Sequence, residues 1–270
     1  MHTPTRINIR PFQWSNFFLQ MTVVVLTALT LLSFATFENR NIVFADAFRD
    51  MLGNFRLLLL EPRLKNLAVV DLLYQLLITI SLGLLTTLFG ALIALFLSLF
   101  AAQNLSPRWL TNVVKSLTAL VRAIPTVLWV LIFAISAGLG SVAAVIGMTF
   151  HSAGYLIKAY AESFEELDKG TIEALQASGA NWWQIVFQAV LPSSATAILS
   201  WTFLRFEINF STAIAMGAAA GAGGIGYDMF MASGFYLDLR ELGIFTYAIV
   251  IFAILLEIVA TRYKESLKGK

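Results

Sequence analysis

Long stretches without a charged residue constrain the fold of this chain most strongly. Residues 17–37, a run of 21, contain no Asp, Glu, Lys or Arg, and neither do residues 72–102. A helix needs about 20 apolar residues to cross the hydrocarbon core of a bilayer, because it rises only about 1.5 Å per residue. Inside lipid the backbone must satisfy its own hydrogen bonds, so such segments are helical. The chain is therefore predicted to be an all-α membrane protein.

The composition excludes several other classes of protein. The chain is 59% hydrophobic and 13% charged, whereas soluble domains are about 45–50% apolar and about 25% charged. Its 18 basic and 16 acidic residues are scattered and give a net charge of +2, so no nucleic-acid partner is expected. Without Cys it has no disulfide or thiolate site, and two histidines are too few to suggest a metal centre.

Six membrane-spanning helices are predicted from the apolar segments. An amphipathic helix through residues 110–122 comes before the third, and Pro125 bends it into the membrane. In that helix Thr111, Lys115, Thr118 and Arg122 lie opposite the apolar face, which places Arg122 near the membrane surface. The predicted spans are residues 17–37, 72–102, 125–140, 142–160, 195–216 and 242–260.

The distribution of Lys and Arg predicts the orientation, because basic residues collect in cytoplasmic loops. With both termini cytoplasmic, ten of the 18 basic residues lie in the tails and inner loops and six lie outside. The predicted domains are an N-terminal tail, first span and outer amphipathic segment over 1–71, a transmembrane domain over 72–263, and a cytoplasmic tail over 264–270. Two predicted cytoplasmic helices at 171–190 belong to the transmembrane domain.

The first of these two helices is predicted to be about two turns long. Thr171 can cap its start, Glu173 then lies in the first turn where the helix dipole favours a carboxylate, and Gly179 suits the left-handed residue that ends it. Asn181 and Gln184 have the spacing of a reciprocal cap for the second helix.

Small side chains make the first helix a candidate contact for a partner protein. Ala174, Ala177 and Gly179 allow close approach, and Glu173 adds one charge that fixes the orientation. Together with the Leu-Pro pair at 191–192, this pattern resembles the EAA signature of binding-protein-dependent ABC importer permeases. The alternative is a connector that lies passively on the membrane surface.

A glycine-rich stretch follows the fifth predicted span. Gly221, Gly223 and Gly226 match G-x-G-x-x-G, with Gly224 among them, but the dinucleotide fingerprint also needs a strand before it and a βαβ context. A close-packed backbone segment at the outer mouth of a pathway is the preferred interpretation.

Arg205 and Glu207 lie within the fifth predicted span, where charges are costly and indicate function. Two residues apart on a helix, they point about 200° away from one another. Either Arg205 lines a pathway or the two charges form an interhelical ion pair that locks the bundle. His151, near the middle of the fourth span, is either a packed helix residue or a solute contact.

Several motifs together look like the permease subunit of phosphonate-type ABC importers. The resemblance covers about residues 72–263, with Ser211 standing where a second Arg is expected, which leaves the anion open. The matching stretches are Arg122-Ala123-Ile124-Pro125, His151-Ser152-Ala153-Gly154 with Lys158, Tyr160-Ala161-Glu162, residues 165–170, residues 205–209 and residues 221–226.

The resemblance implies the type I ABC importer permease fold, in a homodimer in the bacterial inner membrane. It also implies two cytoplasmic ATP-binding subunits, which would use ATP and Mg, and an extracytoplasmic solute-binding protein. This chain would bind no cofactor and would not be an enzyme, since it has no G-x-x-x-x-G-K-[ST] sequence. The resemblance implies three sets of site residues. Contact with the ATPase would involve Glu173, Ala174, Ala177 and Gly179, and an outer gate would lie at Gly221, Gly223, Gly224 and Gly226. The pathway for a small phosphorus oxyanion, foremost phosphonate, would run along Arg205, Glu207, Asn209 and His151.

Other functions remain open on the sequence alone. The substrate could be another small solute. An ion-coupled secondary carrier could use Arg205 and Glu207 as a proton relay, although no internal repeat is visible. A membrane enzyme acting on lipid phosphates would also place Arg, His and Glu in the bilayer, but paired carboxylates or a His cluster are missing.

Overall fold

The computed structural model describes residues 13–36 and 43–268, with side chains described as far as Arg262. Within these ranges the chain is helical and contains no strand, which confirms the all-α prediction. The helices are α1 Trp14–Thr36, α2 Phe44–Leu60, α3 Val69–Ala101, α4 Arg108–Ala123, α5 Thr126–Ala137, α6 Ser141–Glu165, α7 Lys169–Ala177, α8 Trp182–Ile185, a π-helical turn Val186–Val190, α9 Leu191–Ala220, α10 Ile225–Gly234 and α11 Leu239–Lys268.

The described chain divides into two compact units between Leu52 and Gly53. The smaller unit contains α1, an uncharged helix of 23 residues that is long enough to cross a bilayer. The larger unit contains α3 to α11. The predicted domain boundaries at 71/72 and 263/264 stay predictions.

Five helices in the described ranges are long and apolar enough to span a membrane, and α4 with α5 makes a sixth when the bent pair is counted as one span. The two helices meet at 88°, at the break that holds Pro125. The third predicted span is therefore short, because the 12 residues of α5 reach only about 18 Å. Which face of the membrane holds the termini stays a prediction.

Helices α3, α6 and α9 form the core of the larger unit, and glycine lets them approach closely. A Cβ on Gly83 of α3 would lie 3.1 Å from the backbone of Phe210 on α9. A Cβ on Gly90 would lie 2.9 Å from the Cβ of Ser152 on α6. Membrane helices associate through such close packing, because lipid offers no hydrophobic drive between them.

Helix α4 is amphipathic as predicted, but its polar face turns toward the protein. Thr111 and Thr118 are buried, with 1% and 7% of their surface exposed, while Leu117 and Leu120 are 59% and 62% exposed. Lys115 forms an ion pair of 3.0 Å with Glu165 at the end of α6. An apolar outer face is the expected arrangement where the surroundings are lipid.

The segment after α2 is fastened to the start of α11. The side chain of Glu241 is 1% exposed and accepts hydrogen bonds from the backbone N–H groups of Lys65 and Asn66, at 3.3 and 2.8 Å, and from the Asn66 amide at 2.6 Å. Arg240 donates to Glu61 over 2.7 Å, and this hydrogen bond lowers the pKa of that carboxyl. Both contacts hold residues 61–66 against the start of α11.

Candidate functional site

Helix α7 carries the residues that were predicted to contact a partner. It begins at Lys169, with Asp168 in the capping position, so the prediction of Thr171 as the cap is wrong. Glu173 consequently lies in the second turn. Ile172 is buried beneath the helix, whereas Glu173, Ala174 and Ala177 are exposed. The helix is thus anchored on one side and presents small residues and one carboxylate on the other.

Gly179 ends this helix in the left-handed conformation, with φ +85°, as predicted. A Cβ added to Gly179 would meet nothing within 4 Å, so only the backbone conformation penalises a larger residue. The reciprocal cap of α8 is also confirmed: Asn181 Oδ1 accepts from Gln184 N at 2.9 Å, and Gln184 Oε1 accepts from Asn181 N at 2.7 Å.

Helix α8, the π-helical turn and α9 run on without a break as one helix of 39 residues, from Trp182 to Ala220. The wide turn comes immediately before the Leu191-Pro192 pair. Proline has no N–H to donate, and its ring clashes with the carbonyl four residues earlier. A local π-helical turn is one known way to absorb such a defect within a continuous helix.

Arg205 is held by a chain of hydrogen bonds that crosses the three core helices; we call Arg205, Ser152, Asn209 and Thr87 the polar relay. Arg205 Nε donates to Ser152 Oγ at 3.1 Å, and Ser152 Oγ donates to Asn209 Oδ1 at 2.9 Å. Asn209 Nδ2 donates to Thr87 Oγ1 at 2.9 Å, and Thr87 donates to the carbonyl of Gly83 at 2.7 Å. All four relay residues are buried.

The direction of every bond in the relay is fixed, because a hydroxyl has one proton. The Thr87 hydroxyl donates its proton to the carbonyl of Gly83, and the Ser152 hydroxyl donates its proton to Asn209 Oδ1. The Ser152 hydroxyl can then only accept a hydrogen bond from Arg205. The Nε–H group of the guanidinium is therefore used within the protein. The guanidinium carbon also lies 5.2 Å from the centre of the Tyr155 ring, a favourable cation–π distance.

Glu207 lies on a different face of α9 from Arg205. It is exposed and lines a groove of about 530 Å³ between α5 and α9, together with Thr126, Ser211 and Thr212. No ion pair joins Arg205 to Glu207, or to any other carboxylate of the described residues. The opposite directions predicted from their spacing are confirmed.

His151 lies beside Ser152 on α6 and is half-buried. Its Nδ1 atom is enclosed and has no hydrogen-bond partner among the described residues. The roles of His151, Glu207 and Asn209 in a solute pathway stay predictions. Asn209 is fully buried, and both the oxygen and the nitrogen of its side-chain amide are engaged in the relay.

The glycine-rich segment is packed backbone against backbone. A Cβ on Gly217 would lie 2.8 Å from the carbonyl oxygen of Gly223, and one on Gly226 would overlap the carbonyl of Ile214. Gly221, Gly223 and Gly224 have φ values of 61°, 79° and 75°. The described chain has no strand before this segment, so the dinucleotide interpretation fails.

The backbone N–H groups at the start of α10 are satisfied by side chains of α3. Gln75 Oε1 accepts from Gly224 N at 3.2 Å, and Thr79 Oγ1 accepts from Ile225 N at 2.9 Å. The segment therefore fastens the end of α9 to the beginning of α3. Its predicted role as an outer gate stays a prediction.

Ser152 and Thr87 are the relay members that were not identified from the sequence as site residues. Thr87 is 122 residues from Asn209 along the chain, and no spacing rule connects them. The available signal was the run of small residues around Ser152, since small residues mark the places where membrane helices meet.

Comparison with protein families gives one model, described as "Binding-protein-dependent transport system inner membrane component", which matches residues 94–268. Among curated proteins, the phosphate-import permease protein PhnE of Mycolicibacterium smegmatis is 33% identical over 153 residues, which are 56% of this chain and 29% of that protein. The phosphite transport system permease protein PtxC of Stutzerimonas stutzeri is 31% identical over 152 residues, 56% of this chain and 55% of that protein.

The similarity is not confined to proteins named for phosphorus compounds. The methionine import system permease protein MetP of Bacillus subtilis is 32% identical over 129 residues, 44% of this chain and 57% of that protein. The chain spans between about a third and somewhat over half of the length of these curated relatives.

Solved structures give the same fold. An inward-facing conformation of the MetNI methionine ABC transporter aligns with a TM-score of 0.68 at 21% identity, over 75% of this chain and 99% of that one. A bacterial ABC transporter involved in the import of the acidic polysaccharide alginate aligns with a TM-score of 0.62 at 14% identity, over 94% of this chain and 98% of that one. At these identities the likeness shows the fold alone.

Proposed function

We propose that this chain, which belongs to the family of inner membrane components of binding-protein-dependent transport systems, forms the translocation pathway of an ATP-driven importer for a small phosphorus oxyanion. It acts as a homodimer, with two ATP-binding subunits on the cytoplasmic side and a solute-binding protein outside. ATP and Mg are used by the ATP-binding subunits, and this chain contributes no hydrolytic chemistry.

The observation that best supports an anionic solute is that Arg205 is buried without a carboxylate partner in the described part of the chain. Its guanidinium is buried in the bundle and lacks a carboxylate partner among the described residues, although a charge in such a place is costly unless something compensates it. The relay engages Nε alone. The two terminal amino groups then remain for the oxygens of a phosphonate, which suit a planar fork of donors.

The relatives named for phosphate and phosphite support the same substrate class. Methionine is the second candidate, because a permease named for methionine matches at comparable identity. The two solutes differ in net charge at pH 7, where a phosphonate carries one to two negative charges and methionine is a zwitterion with no net charge.

Energy enters through α7 in this proposal. The exposed face with Glu173, Ala174 and Ala177 docks on an ATP-binding subunit, and the continuous helix from Trp182 carries the movement into the membrane. Gly179 sets the direction in which the chain leaves α7.

The test is uptake into proteoliposomes that hold the chain with its cognate ATP-binding subunit and binding protein. We expect ATP-dependent uptake of phosphonate or phosphite, and none of methionine. Changing Arg205 to Met together with Glu207 to Leu should leave the complex assembled and abolish uptake. Near-normal uptake by that variant excludes Arg205 as the anion contact, and uptake of methionine by the wild type favours the second candidate.

A further inference from the structure

A charged cavity that Arg205 does not line lies where α3 and α6 end on the predicted cytoplasmic side. Its volume is about 270 Å³, and α3, α4 and α6 form its walls. Lys115, Arg122, Lys158, Glu162 and Glu165 line it, with small or apolar side chains between them. We call this space the α4 cavity.

The positive charges of the α4 cavity are only partly neutralised. Glu165 Oε1 forms an ion pair with Lys115 Nζ at 3.0 Å and accepts a hydrogen bond from the backbone N–H of Gln103 at 2.8 Å. Lys158 pairs with Glu162 at 3.6 Å, and both side chains are more than half exposed. Exposed pairs one turn apart on a helix contribute only about 0.3–0.5 kcal/mol, so Lys158 can readily turn to another anion.

Arg122 is the cation of this cavity with no carboxylate in ion-pair range among the described residues. Its stem is held in place by Gly154 on α6, where an added Cβ would lie 3.0 Å from Arg122 Cγ. The glycine lets the arginine stem cross α6 closely, so the backbone packing of two helices sets where the guanidinium emerges.

We propose that the α4 cavity binds a phosphate group, supplied either by the headgroup of an anionic lipid or by a free phosphorus oxyanion. The fork of Arg122 suits two phosphate oxygens, and the ammonium groups of Lys115 and Lys158 add point charges beside it. At about 30 Å³ for each water in the liquid, the cavity has room for the phosphate group and a substituent.

The two sources of phosphate place the site in different contexts. The apolar face of α4, including Leu117 and Leu120, is exposed and suits the lipid phase, so a lipid whose chains lie along it can present its headgroup to Arg122. A free oxyanion would enter from the predicted cytoplasmic side. No member of the polar relay lines this cavity, so the proposal does not rest on the transport role of Arg205.

The experiment uses the full chain, purified in a neutral detergent, and compares Arg122→Gln and Lys158→Gln with Lys65→Gln, a matched loss of charge on the segment after α2. Titration calorimetry measures binding of inorganic phosphate. Native mass spectrometry measures retention of phosphatidylglycerol against phosphatidylcholine after extraction from nanodiscs. We expect Arg122→Gln to weaken at least one of the two interactions tenfold or more, Lys158→Gln to weaken the same one about threefold, and Lys65→Gln to change neither.

Loss of phosphate binding identifies the free oxyanion as the ligand, and loss of phosphatidylglycerol retention alone identifies the lipid. The number of phosphates bound per chain is measured in Arg205→Met as well, because Arg205 is a separate anion candidate. If Arg122→Gln does not fold, Lys158→Gln, an exposed residue, carries the test. Values for both cavity variants equal to those of Lys65→Gln overturn the proposal.

Discussion

Replacing Ser152 with Ala should destabilise the protein far more than the loss of one hydroxyl suggests. The substitution removes the acceptor for Arg205 Nε at 3.1 Å and the donor to Asn209 Oδ1 at 2.9 Å. Both Ser152 and Asn209 are 0% exposed, so water cannot replace the missing partners.

The size of the effect follows from these two lost bonds. An unsatisfied buried neutral group costs about 1–3 kcal/mol, and a hydrogen bond to a charged group contributes about 1.5–3 kcal/mol. Hydrogen bonds between membrane helices measured by double-mutant cycles are weaker, with a mean of about 0.6 kcal/mol and a maximum of about 1.7. We therefore expect a loss of about 2–4 kcal/mol, which at about 2–4 °C per kcal/mol for a chain of this size lowers Tm by roughly 5–15 °C.

The assay is thermal unfolding of the detergent-solubilised chain, followed by size-exclusion chromatography with fluorescence detection. Ser200→Ala is the matched control, because among the described residues that hydroxyl donates to the carbonyl of Thr196 on its own helix, at 2.8 Å, and to no other helix. Its effect should stay within about 0.5 kcal/mol, as for other surface changes.

A double-mutant cycle isolates the bond to Arg205. In an Arg205→Met background there is no Nε–H to satisfy, so Ser152→Ala should cost about 1–2 kcal/mol less than in the wild type. Equal shifts in both backgrounds, or a shift no larger than that of Ser200→Ala, would refute the relay as an energetic unit.

Three further outcomes are expected. Gly179→Leu should leave the chain in the membrane but uncouple ATP hydrolysis from uptake, because a side chain at φ +85° is strained; full ATP-dependent uptake contradicts this. Gly147→Ala should lower thermal stability strongly, because its Cβ would lie 2.5 Å from the backbone of Val130. Gly53→Ala, inside α2 with nothing within 4 Å, is the control and should raise stability by up to about 1 kcal/mol through helix propensity. Burial raises the pKa of Asp228 to about 6. The contribution of Asp228 to stability is therefore complete below about pH 4 and declines as pH rises from about 4 to the folded-state pKa, and Asp228→Asn should remove that decline in a pH series of melting curves.

Hydropathy and turn chemistry predict the helices well, because both act locally. The cap at Asn181 and Gln184 and the left-handed Gly179 need only their neighbours along the chain. The cap of α7 was misplaced by three residues, since Asp168 and Thr171 are both acceptable capping residues.

Contacts between helices were less predictable than the helices. In a soluble protein an apolar face points inward, but lipid is as apolar as a protein core. The hydrophobic periodicity of α4 therefore identified a polar and an apolar face, but it did not predict which of the two packs against α6. The relay is harder still, because it joins Thr87, Ser152 and Asn209 from three helices, and each is an ordinary residue in its own segment.

If α7 couples the chain to an ATP-binding subunit, as proposed above, the unbroken helix from Trp182 to Ala220 can act as a lever. Its 39 residues extend about 58 Å, and Arg205 lies about 35 Å from the Trp182 end. If the relay acts as the fulcrum, a push of about 3 Å at Trp182 rotates the whole rod by about 5°, and the short arm beyond Arg205, about 22 Å long, swings by about 2 Å in the opposite direction. A displacement at Trp182 would then be reversed in direction and reduced in size before it reaches Gly221. A large movement of a partner at Trp182 would become a small movement at the other end of the helix.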